Sequence, residues 1–102
     1  MIEIVNFEYE KFNGTNSVTL KNNPIHIYII KIKREKRDET KFFTYKIYDG
    51  KECGFNITKF EGSNPSDHDI VEIIQDKKLI KKFKRIIKFF SRITSTIENR
   101  KI

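Results

Sequence analysis

The sequence lacks alanine and tryptophan and has a single cysteine. With only Cys53, an internal disulfide is excluded, which fits a reducing compartment. No apolar run reaches the roughly 18 residues of a transmembrane helix. The first ten residues carry Glu3, Glu8 and Glu10, unlike the basic and apolar pattern of a secretion signal. We therefore expect one cytoplasmic domain, since 102 residues is near the commonest domain size.

Sequence motifs of catalysis and metal binding are also missing. There is no GxxxxGK[ST] phosphate loop, no HExxH and no CxxC. His68 lies between Asp67 and Asp69, but consecutive helical residues point about 100° apart and cannot share one ion, so helix capping is the better interpretation. His26 and Cys53 have no evident catalytic partner in the sequence. The sequence predicts a non-enzymatic protein with no cofactor and no metal.

The residues that are abundant bear on the charge. The 18 Ile, 16 Lys and 8 Asn all have AT-rich codons, which indicates a low-GC genome, bacterial, phage or viral. Codon bias accounts for part of the net charge of +7, but not for its distribution. Residues 1–76 have a net charge of −2, whereas residues 77–102 hold ten basic residues against the single acid Glu98. This asymmetry favours an anionic partner.

Short strands are predicted in the first 60 residues. Residues 25–33 give the strongest strand pattern, with apolar residues on both faces as in a central strand. Asn13-Gly14 predicts a hairpin turn, and Asn22-Asn23-Pro24 predicts a second turn. The charged residues 33–39 are expected to form a loop. The five expected strands are residues 2–12, 17–21, 25–33, 41–48 and 55–60.

A change to helical spacing follows a connector at residues 62–66. Apolar residues recur every three to four positions from Ile70, and no Gly or Pro occurs in residues 67–102. We expect an amphipathic helix over about 67–98, continuous or broken near Asp76, with Ser66 and Asp69 as a capping box. The predicted fold is α+β: a meander-like antiparallel sheet of about five short strands within residues 2–60, covered on one face by this helix. Residues 1–102 form one domain, with a sheet part (1–61), the connector (62–66) and a helical part (67–102).

On a helical wheel, this helix has one apolar side and one basic side. Five pairs of like charge at i,i+4 repel each other, and no acidic residue relieves them. We interpret the basic side as a binding surface for phosphates or an acidic protein, with Phe89 placed to stack on an unpaired base. The alternative is a solvated helix side in a lysine-rich proteome. The candidate binding residues are Lys77, Lys78, Lys81, Lys82, Lys84, Arg85, Lys88, Phe89 and Arg92.

A second basic cluster is a candidate for a secondary contact. Its cations are neighboured by Glu35, Asp38 and Glu39, so a self-compensated hairpin tip is the alternative interpretation. The cluster consists of Lys31, Lys33, Arg34, Lys36 and Arg37.

Besides an enzyme, which the missing motifs disfavour, the sequence leaves three functions open. The first is a binding protein for nucleic acid or a nucleoprotein complex, such as a phage- or mobile-element-encoded inhibitor of a host nucleic-acid-guided nuclease (anti-CRISPR-like). The second is a membrane-surface protein whose helix lies on anionic lipid. The third is a structural subunit that forms a homodimer through the helix, because its apolar positions also suit a coiled coil.

Overall fold

The fold is described by a computed structural model covering the backbone of residues 2–16, 21–62, 64, 66 and 68–100. The side chains described are those of residues 3–13, 23–62, 64, 66 and 68–91. Five antiparallel strands form one sheet in the order β1-β2-β3-β4-β5, and a helix follows, which confirms the α+β class and the meander. The elements are β1 (Ile2–Asn16), β2 (Lys21–Lys36), β3 (Glu39–Gly50), β4 (Gly54–Glu61), β5 (Ile70–Ile73) and α1 (Lys77–Arg100).

The β1–β2 hairpin is longer than the turn signals predicted. Asn13 pairs with Pro24 and Gly14 with Asn23, and the ladder continues to Asn16 and Lys21. The turn predictions at Asn13-Gly14 and at residues 22–24 were therefore wrong. Pairing between β2 and β3 begins only at Ile25, so Pro24, which has no N–H, adjoins a single strand and costs the sheet little. Of the strand expected at residues 17–21, residues 17–20 lie outside the described residues.

The last strand of the sheet was not predicted, whereas the strand expected at residues 55–60 is present as β4. Four strands, and not five, lie within residues 2–60, and β5 comes after the connector. Residues 70–73 pair with β4, and the Ile74 N–H donates to the Ile57 carbonyl (3.0 Å). The expected helix start near residue 67 was therefore wrong. The β-branched Ile70, Val71 and Ile73 suit a pleated strand.

The helix begins directly after Asp76, the position near which the sequence allowed for a break in the expected helix. Asp76 is the N-cap, because its Oδ1 accepts from the Lys78 N–H at 2.9 Å and its carbonyl accepts from the Ile80 N–H at 3.0 Å. The expected capping pair forms a local turn instead. There, Asp69 Oδ2 accepts from the Ser66 N–H (3.0 Å) and the Ser66 hydroxyl (2.9 Å), with no helix following.

The core lies between the sheet and α1, and we call this side of the sheet the helix side. Ile30 and Ile47, at the centres of β2 and β3, are fully buried there. From the helix, Phe83 and Ile87 join the core cluster. The buried members of the cluster are Tyr28, Ile30, Ile32, Phe43, Tyr45, Ile47, Ile57, Ile74, Phe83 and Ile87.

The helix crosses the sheet from the β5 end to β1. The Phe83 ring lies 4.6 Å from that of Tyr45 on β3, and the Phe90 ring stacks on Phe7 of β1 with centroids 4.5 Å apart. Contacts at both positions hold the apolar side of α1 against the sheet. The basic side of α1 therefore faces away from it.

The opposite side of the sheet is only partly covered. Near the connector, Phe60 and Thr44 are buried, Lys46 Nζ lies 5.0 Å from the centroid of the Phe60 ring, and the Thr44 hydroxyl donates to the Gly62 carbonyl (2.8 Å). At the other end, the Phe12 side chain is 57% exposed. Among the described residues, no helix packs on this side.

Candidate nucleic-acid interface

Seven cations of α1 lie exposed on the surface of the molecule. We call them the basic face: Lys77, Lys78, Lys81, Lys82, Lys84, Arg85 and Lys88. Phe89, which the sequence placed among them, is 61% exposed. The ninth candidate, Arg92, lies on α1, and its side chain is outside the described part of the structure. All eight candidates whose side chains are described therefore reach solvent.

The helical period explains why the basic face points outward. Phe83 and Ile87, one turn apart, set the buried direction of the helix. At about 100° per residue, four of the cations fall within an arc of roughly 80° on the opposite side. Those four are Lys78, Lys81, Arg85 and Lys88. The remaining cations flank this arc.

Two flanking lysines lie beside cavities of the fold. Lys84 Nζ lies 5.0 Å from the centroid of the half-buried Phe55 ring, a cation–π contact. Beside it is a cleft of about 240 Å³, lined by Asp49, Phe55, Lys84, Ile87 and Lys88. On the other flank, Lys82 borders an apolar cavity of about 250 Å³ between helix and sheet. The outer four cations are thus the best placed to meet a partner.

The charge arrangement is unfavourable for the helix itself. Lys77 and Lys78 occupy the first turn, where the helix dipole is already positive, and the first turn contains no acidic residue. The Asp76 cap lies at this end. Lys77–Lys81, Lys81–Arg85 and Lys84–Lys88 are like-charge pairs at i,i+4, which lower helix stability. Together these cations give one side of the molecule a concentrated positive potential.

The secondary cluster is divided between the two sides of the sheet. Residues up to Lys36 belong to β2, so the loop expected at residues 33–39 is only a turn at Arg37 and Asp38. Because side chains alternate along a strand, Arg34 and Lys36 share the helix side with Ile30 and Ile32, whereas Lys31 and Lys33 face the opposite side. The expected single cluster therefore does not form.

Each side has its own charge partners. On the opposite side, Lys33 Nζ contacts Glu35 Oε1 at 2.8 Å, and this hydrogen bond raises the pKa of Lys33 and lowers that of Glu35. On the helix side, Lys41, which sequence reasoning missed, joins Arg34 and Lys36 around a small cleft of about 80 Å³. Lys41 lies opposite Arg34 in the β2–β3 pair. The sequence does not reveal this neighbour, because it depends on the register between the two strands.

In the described ranges, no group of three or more His, Cys, Asp or Glu side chains could hold a metal ion. His26 Nδ1 lies 2.7 Å from the Tyr9 hydroxyl. Cys53 is exposed, and its thiol donates to the Gly54 carbonyl at 3.4 Å.

No helix begins at His68 or Asp69, so the capping interpretation of this segment was wrong. Hydrogen bonds from the Ser66 backbone N–H and hydroxyl lower the pKa of Asp69. His68 itself is exposed. Asp67 lies outside the described residues.

Over the described ranges, no helix has both the length and the apolar character needed to cross a membrane. No protein-family model matches this chain, and no similar protein was found among curated proteins or solved structures.

Proposed function

We propose that this protein is a non-enzymatic binding protein whose basic face engages nucleic acid, either free or within a nucleoprotein complex. The observation that supports the proposal is the row of seven exposed cations on a helix whose other side packs on the sheet. Such a row has a fixed direction and spacing, because the packed side prevents the helix from rotating. A rigid line of positive charge suits a linear polyanion.

The dimensions agree with this partner. Lys78 and Lys88 are ten residues apart on α1, which corresponds to about 15 Å along the helix axis. Duplex DNA presents one phosphate charge per ~1.7 Å of its axis, so several phosphates fall within that length. Lysine contacts phosphates as a point charge and dominates the basic face, so we expect little base-specific readout. The exposed Phe89 ring adds a surface on which an unpaired base can stack.

The packing of α1 disfavours the two alternatives that use its apolar side. Phe83 is 5% and Ile87 8% exposed, and both would have to leave the sheet for the helix to lie on a lipid surface. A coiled-coil homodimer would require the same separation, because Leu79, Phe83, Ile86 and Phe90 also form its seam. Binding through the basic face requires no rearrangement of the core.

A biological setting follows from the proposal. A small protein with AT-rich codons and no catalytic motif suits a phage or mobile element. In the cytoplasm of a host cell, its basic face would occupy the nucleic-acid channel or an acidic surface of a nucleic-acid-guided nuclease. Under this hypothesis the protein acts as an inhibitor by occlusion and needs no cofactor.

The test is binding of the purified protein to labelled single-stranded RNA, single-stranded DNA and duplex DNA across a salt series. We expect affinity to fall steeply with salt. The variant K81Q/K84Q/R85Q/K88Q should bind more weakly. For duplex DNA, the slope of log K against log salt should shrink by about 0.9 for each phosphate that the variant no longer neutralises.

A second variant with the same change in net charge is the control. K11Q/K46Q/K51Q/K59Q also removes four positive charges, and none of these lysines is a candidate contact residue. It should retain most of the affinity and the salt slope. Equal reductions in affinity for both variants would indicate attraction by net charge alone, and no binding at about 50 mM salt would overturn the proposal in favour of an acidic protein partner.

A further inference from the structure

The edge strand β5 exposes apolar side chains that no part of the described fold covers. The side chains of Ile70, Val71 and Ile73 are 53%, 56% and 64% exposed. One edge of β5 pairs with β4, and β5 is the last strand of the sheet, so no strand of the described residues neighbours its other edge. Unpaired backbone groups beside exposed β-branched residues form a template for another strand.

The other edge of the sheet differs in charge. The edge strand β1 carries the exposed residues Glu3, Glu8, Glu10 and Lys11, and charged side chains of this kind discourage strand addition. In β5 the only charged residue is Glu72, which pairs with Lys59 of β4. Strand addition is therefore favoured at the β5 edge.

We propose that a second copy of this chain pairs with β5, antiparallel and around a two-fold axis between Val71 and Glu72. In this register Ile70 lies opposite Ile73 of the second copy, and Val71 lies opposite Glu72 of the second copy. Ile70 pairs with Phe60 and Ile73 with Thr58 across a register irregularity in the β4–β5 pair, so both isoleucines face the side of the sheet opposite α1 and can meet on one face. The two isoleucine pairs cover each other, and the two Glu72 carboxylates are not opposite each other. An isologous interface requires a self-complementary strand of this kind.

The charges that flank β5 support a second copy as the partner. Antiparallel pairing brings the residues that follow β5 in one copy towards the residues that precede β5 in the other. Lys77 and Lys78, in the first turn of α1, outnumber the Asp76 carboxylate beside them, so a net positive segment would approach Asp69 of the second copy. The two-fold axis generates this attraction twice.

The geometry has a consequence for the basic face. A two-fold axis between antiparallel strands stands perpendicular to the sheet, so the helix sides of both copies face the same direction. The dimer would be one ten-stranded sheet that presents two basic faces on one surface. The pairing rests on β5 and the charges that flank it, and it does not depend on whether the partner of the basic face is nucleic acid.

Mixed disulfide formation tests the register directly. In a Cys53→Ser background, Ile70→Cys protein is mixed with Ile73→Cys protein under mild oxidation. Residues opposite each other in an antiparallel pair have Cα atoms about 4.5–5.5 Å apart, within the range of a disulfide. We expect the mixed disulfide to exceed both homodisulfides. Statistical proportions of the three products would overturn the register.

Sedimentation of the full chain over a wide concentration range tests the dimer. Ile73→Lys should raise its dissociation constant at least about tenfold. The matched control is Val5→Lys, at an exposed β-branched position (46%) on the opposite edge strand, which should leave the constant unchanged. A monomer mass at every concentration, or equal effects of the two lysines, would overturn the proposal.

Discussion

The rings of Phe7 and Phe90 stack with centroids 4.5 Å apart and an angle of 11° between their planes. Phe7 lies on β1, which is one edge strand of the sheet. The helix follows β5, which is the other edge strand. The stack therefore joins the helix to the far edge of the sheet. It also holds the preceding turns, which carry the basic face, in a fixed direction.

A double-mutant cycle should detect coupling between these rings. Phe7→Leu and Phe90→Leu each remove the stack while keeping apolar volume. We expect a coupling energy of about 0.5–1.5 kcal/mol from denaturant unfolding of the two single variants and the double variant. Strictly additive effects would mean that the two rings do not stack in solution.

Truncation of two phenylalanines of the same helix should change the free energy of unfolding by very different amounts. Phe83 is 5% exposed and packs against Tyr45, so Phe83→Ala should lower the free energy of unfolding by about 3–5 kcal/mol. Phe89 is 61% exposed, so Phe89→Ala should change it by less than about 0.5 kcal/mol. Urea unfolding measures both, and similar decreases would place the buried side of the helix elsewhere.

The helix start can be tested at Asp76. Its carboxylate accepts from the Lys78 N–H, so Asp76→Ala should cost about 1 kcal/mol, while Asp76→Ser, which can still cap, should cost much less. Asp69→Ala removes a turn contact outside the helix. Amide exchange in residues 77–80 should therefore accelerate in Asp76→Ala and stay unchanged in Asp69→Ala. Faster exchange in both would support a helix that starts earlier.

Neighbouring lysines should differ in their effect on stability. Lys81→Gln relieves repulsion from Lys77 and Arg85, which should raise the free energy of unfolding by a few tenths of a kcal/mol for each pair. Lys84→Gln relieves repulsion from Lys88 but removes the cation–π interaction with Phe55, worth about 0.5–1 kcal/mol. We expect Lys81→Gln to be the more stable variant at low salt, with the gain shrinking as salt screens the repulsion. The reverse order would argue against the cation–π interaction.

Alkaline pH should destabilise the fold through Tyr45. Burial, followed by repulsion from the Glu72 carboxylate, raises the pKa of Tyr45 above its usual value of 10.0. The folded state thus holds this proton more tightly than the unfolded chain does. The resulting stability is fully present below about pH 10 and is lost as the pH rises further.

Tyr45→Phe cannot ionise, so between about pH 9 and pH 11 its free energy of unfolding should fall less than that of the parent protein. Tyr48→Phe, at a 39% exposed position on the opposite side of the sheet, is the control. Equal slopes for the parent protein and Tyr45→Phe would contradict the raised pKa.

The spacing of apolar residues was sufficient to predict which side chains share a face in β2 and which sides of the helix are apolar and basic. The two-residue period separated Tyr28, Ile30 and Ile32 from Ile25, Ile27 and Ile29, and the first set is the buried one. The helical wheel placed the basic face opposite the buried Phe83 and Ile87. Both patterns depend only on residues close together in the chain.

The errors come from relationships between distant residues. Ile70, Ile73 and Ile74 have helical spacing. However, the Ile74 N–H donates to the Ile57 carbonyl, and the preceding residues pair with β4. The spacing of apolar residues along the chain carries no information about such a distant partner strand. In the same way, the strand register determines that Arg34 and Lys41 both lie on the helix side of the sheet. An Asn-Gly pair is compatible with a turn, but pairing between β1 and β2 continues past it.

The meander has a consequence for the order of folding events. Every strand pairs with its neighbour in sequence, so each hairpin can close with a short loop and little loss of chain entropy. The stack of Phe7 on Phe90 instead joins positions near opposite ends of the chain. Its closure entropy is compensated only when the sheet is already in place, so docking of the last helical turns onto β1 is expected to come late.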